Sequence, residues 1–220
     1  ALLFTHYLEK ENMTGFEDQI KSLGYNSTEA YMNKVLIPSL QASELTEKYF
    51  TDAKKDIQKT YKPSKARIIQ CENKATAKKA LKALKNGTDP EEVAQQYMVD
   101  SAKYSGKETL VTTKTTDLST RLINTLSKTK KAGVIDEVFT NESSGTTYAY
   151  VAVLVSNTYK DIKDEVYTSL SSDDDITKAC LVYYLKKYNF EVHDQDVFNN
   201  LKANNPEYLV SRPDLSKSDD

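Results

Sequence analysis

The sequence predicts an α+β protein in which a small sheet-bearing module, residues 63–159, is inserted in a helical lobe built from residues 1–62 and 160–205, with 206–220 as a C-terminal tail. Three observations carry this prediction. Apolar residues recur at helical spacing in both flanks, the middle segment alternates short extended runs with helices, and Lys62-Pro63-Ser64 punctuates the change of character.

In the first flank, Phe16, Ile20 and Leu23 fall on one stripe and Gly24 follows as a C-cap. Asn26 with Glu29 has the spacing of a capping box, and the helix it opens carries Tyr31, Val35 and Leu36 on one face. Pro38 lacks the N–H that a helix interior uses, so a kink or break is expected there before Leu40, Leu45, Tyr49 and Phe50 continue the apolar face.

In the middle segment, Ala66 to Cys71 reads as a strand and Lys74 to Lys85 as a helix with Ala77, Ala80, Leu81 and Leu84 inward, closed by Asn86-Gly87. Asp89-Pro90-Glu91-Glu92 starts another helix, because proline is tolerated in a first turn and acids complement the positive end of the dipole; Val93 and Tyr97 are its expected buried contacts. A second strand is expected over Thr109 to Thr113, and Leu118, Leu122 and Leu126 mark a further helix. Lys128 to Lys131 reads as a solvated basic loop, with a local anionic contact left open. Val134 to Phe139 and Tyr148 to Ser156 are the last two expected strands, around a turn at Asn141 to Gly145. Strand, helices, strand, helix, strand, strand is the order of a small α+β domain.

In the last flank, Ile162, Val166 and Leu170 share a helical face, as do Ile176, Cys180, Tyr183 or Tyr184, and Tyr188. The aspartates at 173–175 read as a helix cap rather than a calcium loop, because no alternating series of oxygen ligands ending in glutamate follows. Phe190 to Val192 is an extended link, and Asp194 caps a final helix through Val197 and Leu201. From Pro206 onward little is available to bury.

Composition narrows the function classes. The 30 basic and 32 acidic side chains of the 220 residues leave a formal charge of −2, so no global field points to nucleic acid or to an anionic membrane. Cys71 and Cys180 read as small buried hydrophobes rather than a disulfide. His6 and His193 lie far apart without a ligand motif, and no cofactor signature is present. The Asn-x-Ser/Thr matches at Asn12, Asn26, Asn86 and Asn141 carry meaning only in a eukaryotic secretory protein. No signal peptide, lipidation motif or long apolar stretch occurs, yet Ala1-Leu2-Leu3-Phe4 reads like the inside of a helix without an N-cap, which leads to the expectation that upstream residues have been removed.

Several runs together resemble a known family. Lys65-Ala66-Arg67-Ile68-Ile69, Ala75-Thr76-Ala77, Gly87-Thr88-Asp89 and Val93-Ala94-Gln95-Gln96-Tyr97 are similar to the first half of a parvulin-type prolyl isomerase domain, and Ala132-Gly133-Val134-Ile135 and Tyr148-Ala149-Tyr150-Val151 to its second half. The flanking runs Gly24 to Tyr31 and Leu185 to Asp194 resemble the helical portions of PrsA-like extracytoplasmic foldases. The resemblance implies a four-stranded antiparallel sheet, a helical lobe that cradles unfolded or newly translocated polypeptides, and attachment to the outer face of the Gram-positive cell membrane through an N-terminal lipid anchor that this chain does not contain. A homodimer is left open.

By the same resemblance, Arg67 and Val151 stand where the family carries its two histidines, Asp100 stands at the acidic or thiol position, and Tyr150 lies beside the second histidine position. Leu118, Leu122 and Leu126 take the place of the residues that grip the proline ring. Valine has no hydrogen-bonding side chain and arginine stays cationic, so an Arg67–Asp100 ion pair is the expected structural role and isomerisation is expected to be weak or lost. Two alternatives stay open: an active isomerase using Asp100, Tyr150 and backbone groups, and a non-catalytic surface interaction protein.

Overall fold

Proline 38 shows how local chemistry shapes the chain in this computed structural model, which describes residues 13–100, 102–143 and 145–212. Of the kink or break expected there, the break does not occur. Met32–Leu36 winds instead as a π-helical turn in which Ile37 donates to the Met32 carbonyl, and the helix α3 (Ile37–Asp52) continues from it with Pro38 in its first turn. Ahead of it lie α1 (Met13–Ser22) and the short α2 (Thr28–Tyr31). The N-cap of α2 is Ser27, whose hydroxyl accepts from Ala30 N, rather than Asn26. Gly24, with φ +87°, ends the α1 segment as expected, but Leu23 lies past the last helical turn and is exposed, as is Leu40. Ile20 is buried, and Tyr31 makes edge contacts with Phe16 and Tyr25.

The described residues divide into two compact units between Lys48 and Tyr49. In the second, α4 (Lys54–Tyr61) ends at Lys62, which takes a left-handed conformation (φ 47°), and β1 (Ser64–Cys71) follows. Next come α5 (Lys74–Lys85), capped by Asn73, and α6 (Pro90–Tyr97), capped by Asp89. They are followed by β2 (Ser105–Val111), α7 (Thr120–Lys128), β3 (Gly133–Val134), β4 (Phe139–Ser143) and β5 (Thr146–Ser156).

All pairings are antiparallel, in the order β2-β1-β5-β3 with β4 also on β5. β3 pairs with Leu154 and Val153, and β4 with Tyr150 back to Thr146, both on the side of β5 away from β1. Four strand positions are therefore filled by five strands. The expected strand from Val134 to Phe139 is split because Glu137 N bonds to Ile135 O at 2.8 Å, a tight turn that breaks the ladder between β3 and β4. β2 starts earlier than the expected Thr109 and carries a bulge: Arg67 faces Glu108 while Ile69 faces Ser105, so β2 spends one residue more than β1. Gly106, with φ +80°, lies in that bulge, and a Cβ there would fall 2.3 Å from the Pro90 carbonyl oxygen.

Each face of the sheet has its own core. Ala66, Ile68, Tyr150, Ala152 and Leu154 pack against Leu118, Leu122 and Leu126 on the α7 side. On the other face, Ile69, Cys71, Ala149 and Val151 pack against Ala77, Ala80 and Leu84 of α5 and Val93 and Ala94 of α6. Alternation along a strand makes this division automatic.

The chain then continues through α8 (Tyr159–Leu170), α9 (Asp174–Lys187), α10 (Gln195–Asn204) and a 3₁₀ turn at Pro206–Tyr208. Ile162, Val166 and Leu170 are buried, as are Ile176, Cys180 and Tyr184. Asp173 caps α9 by accepting from Asp175 N, and Asp194 caps α10. The end of α3 joins this group: Tyr159 donates to the Phe50 carbonyl at 2.8 Å, Phe50 meets Tyr167 edge-on, and Lys187 pairs with Asp52. Lys65–Glu165 and Lys114–Asp173 ion pairs connect these helices to the sheet region. Leu209, placed in the tail by sequence, is buried.

Candidate functional site

Tyr150 and Val151 are neighbours in β5, so their side chains leave opposite faces of the sheet. Tyr150 joins Leu118, Leu122 and Leu126 on the α7 side, whereas Val151 lies opposite Ile69 in the α5–α6 core. Leu118 is 4% exposed, Tyr150 3%, and Leu122, Leu126 and Val151 0%. These residues are packed core, and the three leucines present no accessible wall to a ligand.

Arg67 and Asp100 do not pair. The Arg67 guanidinium lies 3.2 Å from Glu108, 3.7 Å from Glu91 and 3.9 Å from Asp89. The reason is register: Glu108 is its direct cross-strand neighbour, and Asp89 and Glu91 stand at the start of α6. Lys65 holds the other oxygen of Glu108 at 3.0 Å and Glu165 at 2.9 Å, and these hydrogen bonds hold both glutamates below the usual carboxylate range. Asp100 is exposed and has no ion pair or hydrogen bond among the described residues.

The polar group that does meet the leucine cluster was not apparent from the sequence. Tyr104 precedes β2, and its ring lies in the α7-side core, edge-on to Tyr150 with centroids 6.2 Å apart. Its hydroxyl donates to Asp117 Oδ1 at 2.9 Å, while Lys103 Nζ lies 2.7 Å from Asp117 Oδ2 and 5.5 Å from the Tyr104 ring centroid. Asn141 donates to the Asp117 carbonyl, tying β4 to the same point. Burial and the Asp117 bond push the Tyr104 phenol well up. Burial alone would raise Asp117, but its hydrogen bonds from Lys103 and Tyr104 outweigh that and hold its carboxyl below the usual range. Burial also raises Tyr150.

Gln70 organises the approach. Its backbone N–H donates to Tyr104 O, its carbonyl accepts from Val99 N, and its side-chain Oε1 accepts from Lys103 N, each at 3.0 Å. One β1 residue thus clamps both ends of the segment between α6 and β2. Outside it, Lys103, Tyr104, Thr109, Leu110, Lys114, Thr115, Thr116 and Asp117 line a recess of about 320 Å³. A buried tyrosine four residues beyond Asp100, followed by an aspartate just ahead of Leu118, was the available signal. Neither residue belongs to a motif, and their meeting depends on the fold.

Chemically the recess offers a bonded phenol, an ionised carboxylate and two ammonium groups, with no nucleophile paired to a base. Among the described residues, no group of three or more His, Cys, Asp or Glu is placed to hold a metal ion, and no helix is long and apolar enough to cross a membrane.

Comparison with known proteins adds likenesses at low identity. No family profile matches the chain, and no curated protein matches its sequence. Solved structures do. The foldase protein PrsA from Streptococcus pneumoniae str. Canada MDR_19A is 21% identical with a TM-score of 0.39, over 87% of this chain and 76% of that one. The peptidylprolyl isomerase (PrsA) from Bacillus cereus is 18% identical with a TM-score of 0.46, over 98% and 80%. PrsA from Bacillus subtilis is 20% identical with a TM-score of 0.38, over 86% and 75%.

Proposed function

We propose that this chain is a folding factor that binds unfolded or newly translocated polypeptides outside the cytoplasm, and that its prolyl isomerase step is weak or lost. The reading rests on the sequence resemblance for the folding role. The single observation behind the loss of catalysis is the fate of the two histidine positions: Arg67 is committed to Glu108, Glu91 and Asp89, and Val151 is fully buried. Rotating an Xaa-Pro bond means lowering a barrier of about 18–20 kcal/mol by placing donors against a twisted amide. Loss of one preorganised donor costs roughly 10²–10³ in rate at comparable electrostatic sites.

Client binding draws support from apolar surface on the C-terminal helices and their links, where Leu181, Tyr188, Phe190 and Val197 are exposed. The lobe of residues 1–62 and 160–205, the module of residues 63–159 and a lipid anchor at the outer membrane face belong to the same proposal.

An NMR exchange assay on an Ala-Pro peptide tests the catalytic half. The expected result is exchange at the uncatalysed rate, unchanged by Asp100→Asn. Robust acceleration abolished by that substitution would overturn it. For the binding half, the chain should delay aggregation of an unrelated unfolded protein at stoichiometric ratio, and Tyr188→Ser with Phe190→Ser should shorten the delay. No delay would leave a dedicated interaction protein as the better reading.

A further inference from the structure

The outer face of α7 and the loop after it carry a charge imbalance that the folding role does not use. Residues 120–134 hold Arg121, Lys128, Lys130 and Lys131 and no aspartate or glutamate. Arg121, Asn124, Thr125, Lys128 and Thr129 line a recess of about 580 Å³ at the spacing of a single helical face.

Several acceptors along this face are already occupied. Asn124 Oδ1 accepts from Lys62 Nζ at 2.7 Å, and the Asn157 amide donates to the carbonyls of Leu126, Ser127 and Thr129 at 2.8, 3.3 and 2.8 Å. That amide also quenches the negative end of the α7 dipole, which would otherwise repel an anion. The Thr125 and Thr129 hydroxyls donate back to the carbonyls of Arg121 and Thr125, so they offer only lone pairs outward and the cations carry the attraction. The donors that remain are Asn124 Nδ2, whose amide is oriented by the Lys62 bond, and the ammonium groups of Lys128, Lys130 and Lys131, which have no carboxylate partner among the described residues. Arg121 is shared with Glu137 through its Nε.

Ammonium groups without a carboxylate partner, beside an amide donor, suit an anion. Arg121 to Lys128 spans about 10 Å along the helix, and Lys130 and Lys131 follow in the exposed loop after it, so a ligand with several anionic groups is matched. No large exposed apolar side chain lies within 120–134 to enter a bilayer, and no aromatic residue occurs there to stack on a base. We propose that this face binds a linear, base-free phosphodiester chain.

The test titrates the full chain with poly(glycerol phosphate), with glycerol phosphate monomer, and with vesicles carrying phosphatidylglycerol. Lys128→Gln/Lys130→Gln/Lys131→Gln is compared with Lys78→Gln/Lys79→Gln/Lys82→Gln on α5, which changes the net charge equally. The α7 variant should bind the polymer at least about tenfold more weakly, with the slope of log K against log salt reduced by about 2, while the α5 variant stays within about twofold of the parent. Equal losses in the two variants, no loss in either, monomer binding as tight as polymer binding, or tighter binding to the vesicles than to the polymer would each overturn the proposal.

Discussion

The Tyr104 hydroxyl donates to Asp117 at 2.9 Å while the Tyr104 ring stays inside the leucine cluster, so one side chain fills the core and fastens its rim. A phenol meets both demands because its apolar body and polar tip point in opposite directions. Tyr104→Phe keeps the packing and removes the bond. Asp117 still has Lys103, so the expected loss is about 1–2 kcal/mol, read from urea unfolding of the variant against the parent. An unchanged midpoint would show that the hydroxyl contributes nothing.

Gly106 tolerates no side chain. A Cβ would meet the Pro90 carbonyl at 2.3 Å, an obstacle of backbone rather than a flexible side-chain end, and the φ of +80° is strained for any L-residue. Gly106→Ala should cost on the order of 2–4 kcal/mol and lower the thermal midpoint accordingly. Gly133→Ala is the useful contrast: its φ of +139° is strained too, but no atom lies within 4 Å of its Cβ, so its loss should be smaller.

Alkaline pH should unfold the helical part of the second unit through its tyrosines. Burial first, and then neighbouring Tyr61 and Asp56, pushes Tyr49 up to about 12; burial, with Tyr49 beside it, does the same for Tyr159. A pKa raised in the folded state stabilises the fold fully below the unfolded value of about 10 and loses that contribution as pH rises from there through about 12. Denaturation midpoints should therefore fall across that window, with a late step in phenolate absorbance. Tyr159→Phe should flatten the fall, and a slope that does not change would sink this assignment.

Legibility from sequence followed the range of the interactions. The caps at Asp173 and Asp194 and the helix start at Asp89 are legible because a cap is made with an N–H two or three residues away. Asp89 also illustrates the limit, since its pairing with Arg67 depends on strand register that no local pattern records. The split between β3 and β4 rests on one Glu137–Ile135 turn inside an otherwise strand-like run. At the site, the resemblance marks Arg67 and Val151, but which face each side chain takes follows only from strand register. Tyr104 and Asp117 come together because Gln70 holds one end of their connection and Asn141 the other.

The divided edge of the sheet bears on how the protein avoids pairing with other chains. An open strand edge is a template on which another polypeptide can add itself and start a fibril. On one side that template is cut into β3 of 2 residues and β4 of 5; on the other, β2 is bent by the Gly106 bulge and carries Lys107 and Glu108. Neither side offers a long, flat, uncharged ladder. The proposed folding role would need such edges, since they give a bound extended segment little backbone to add itself to.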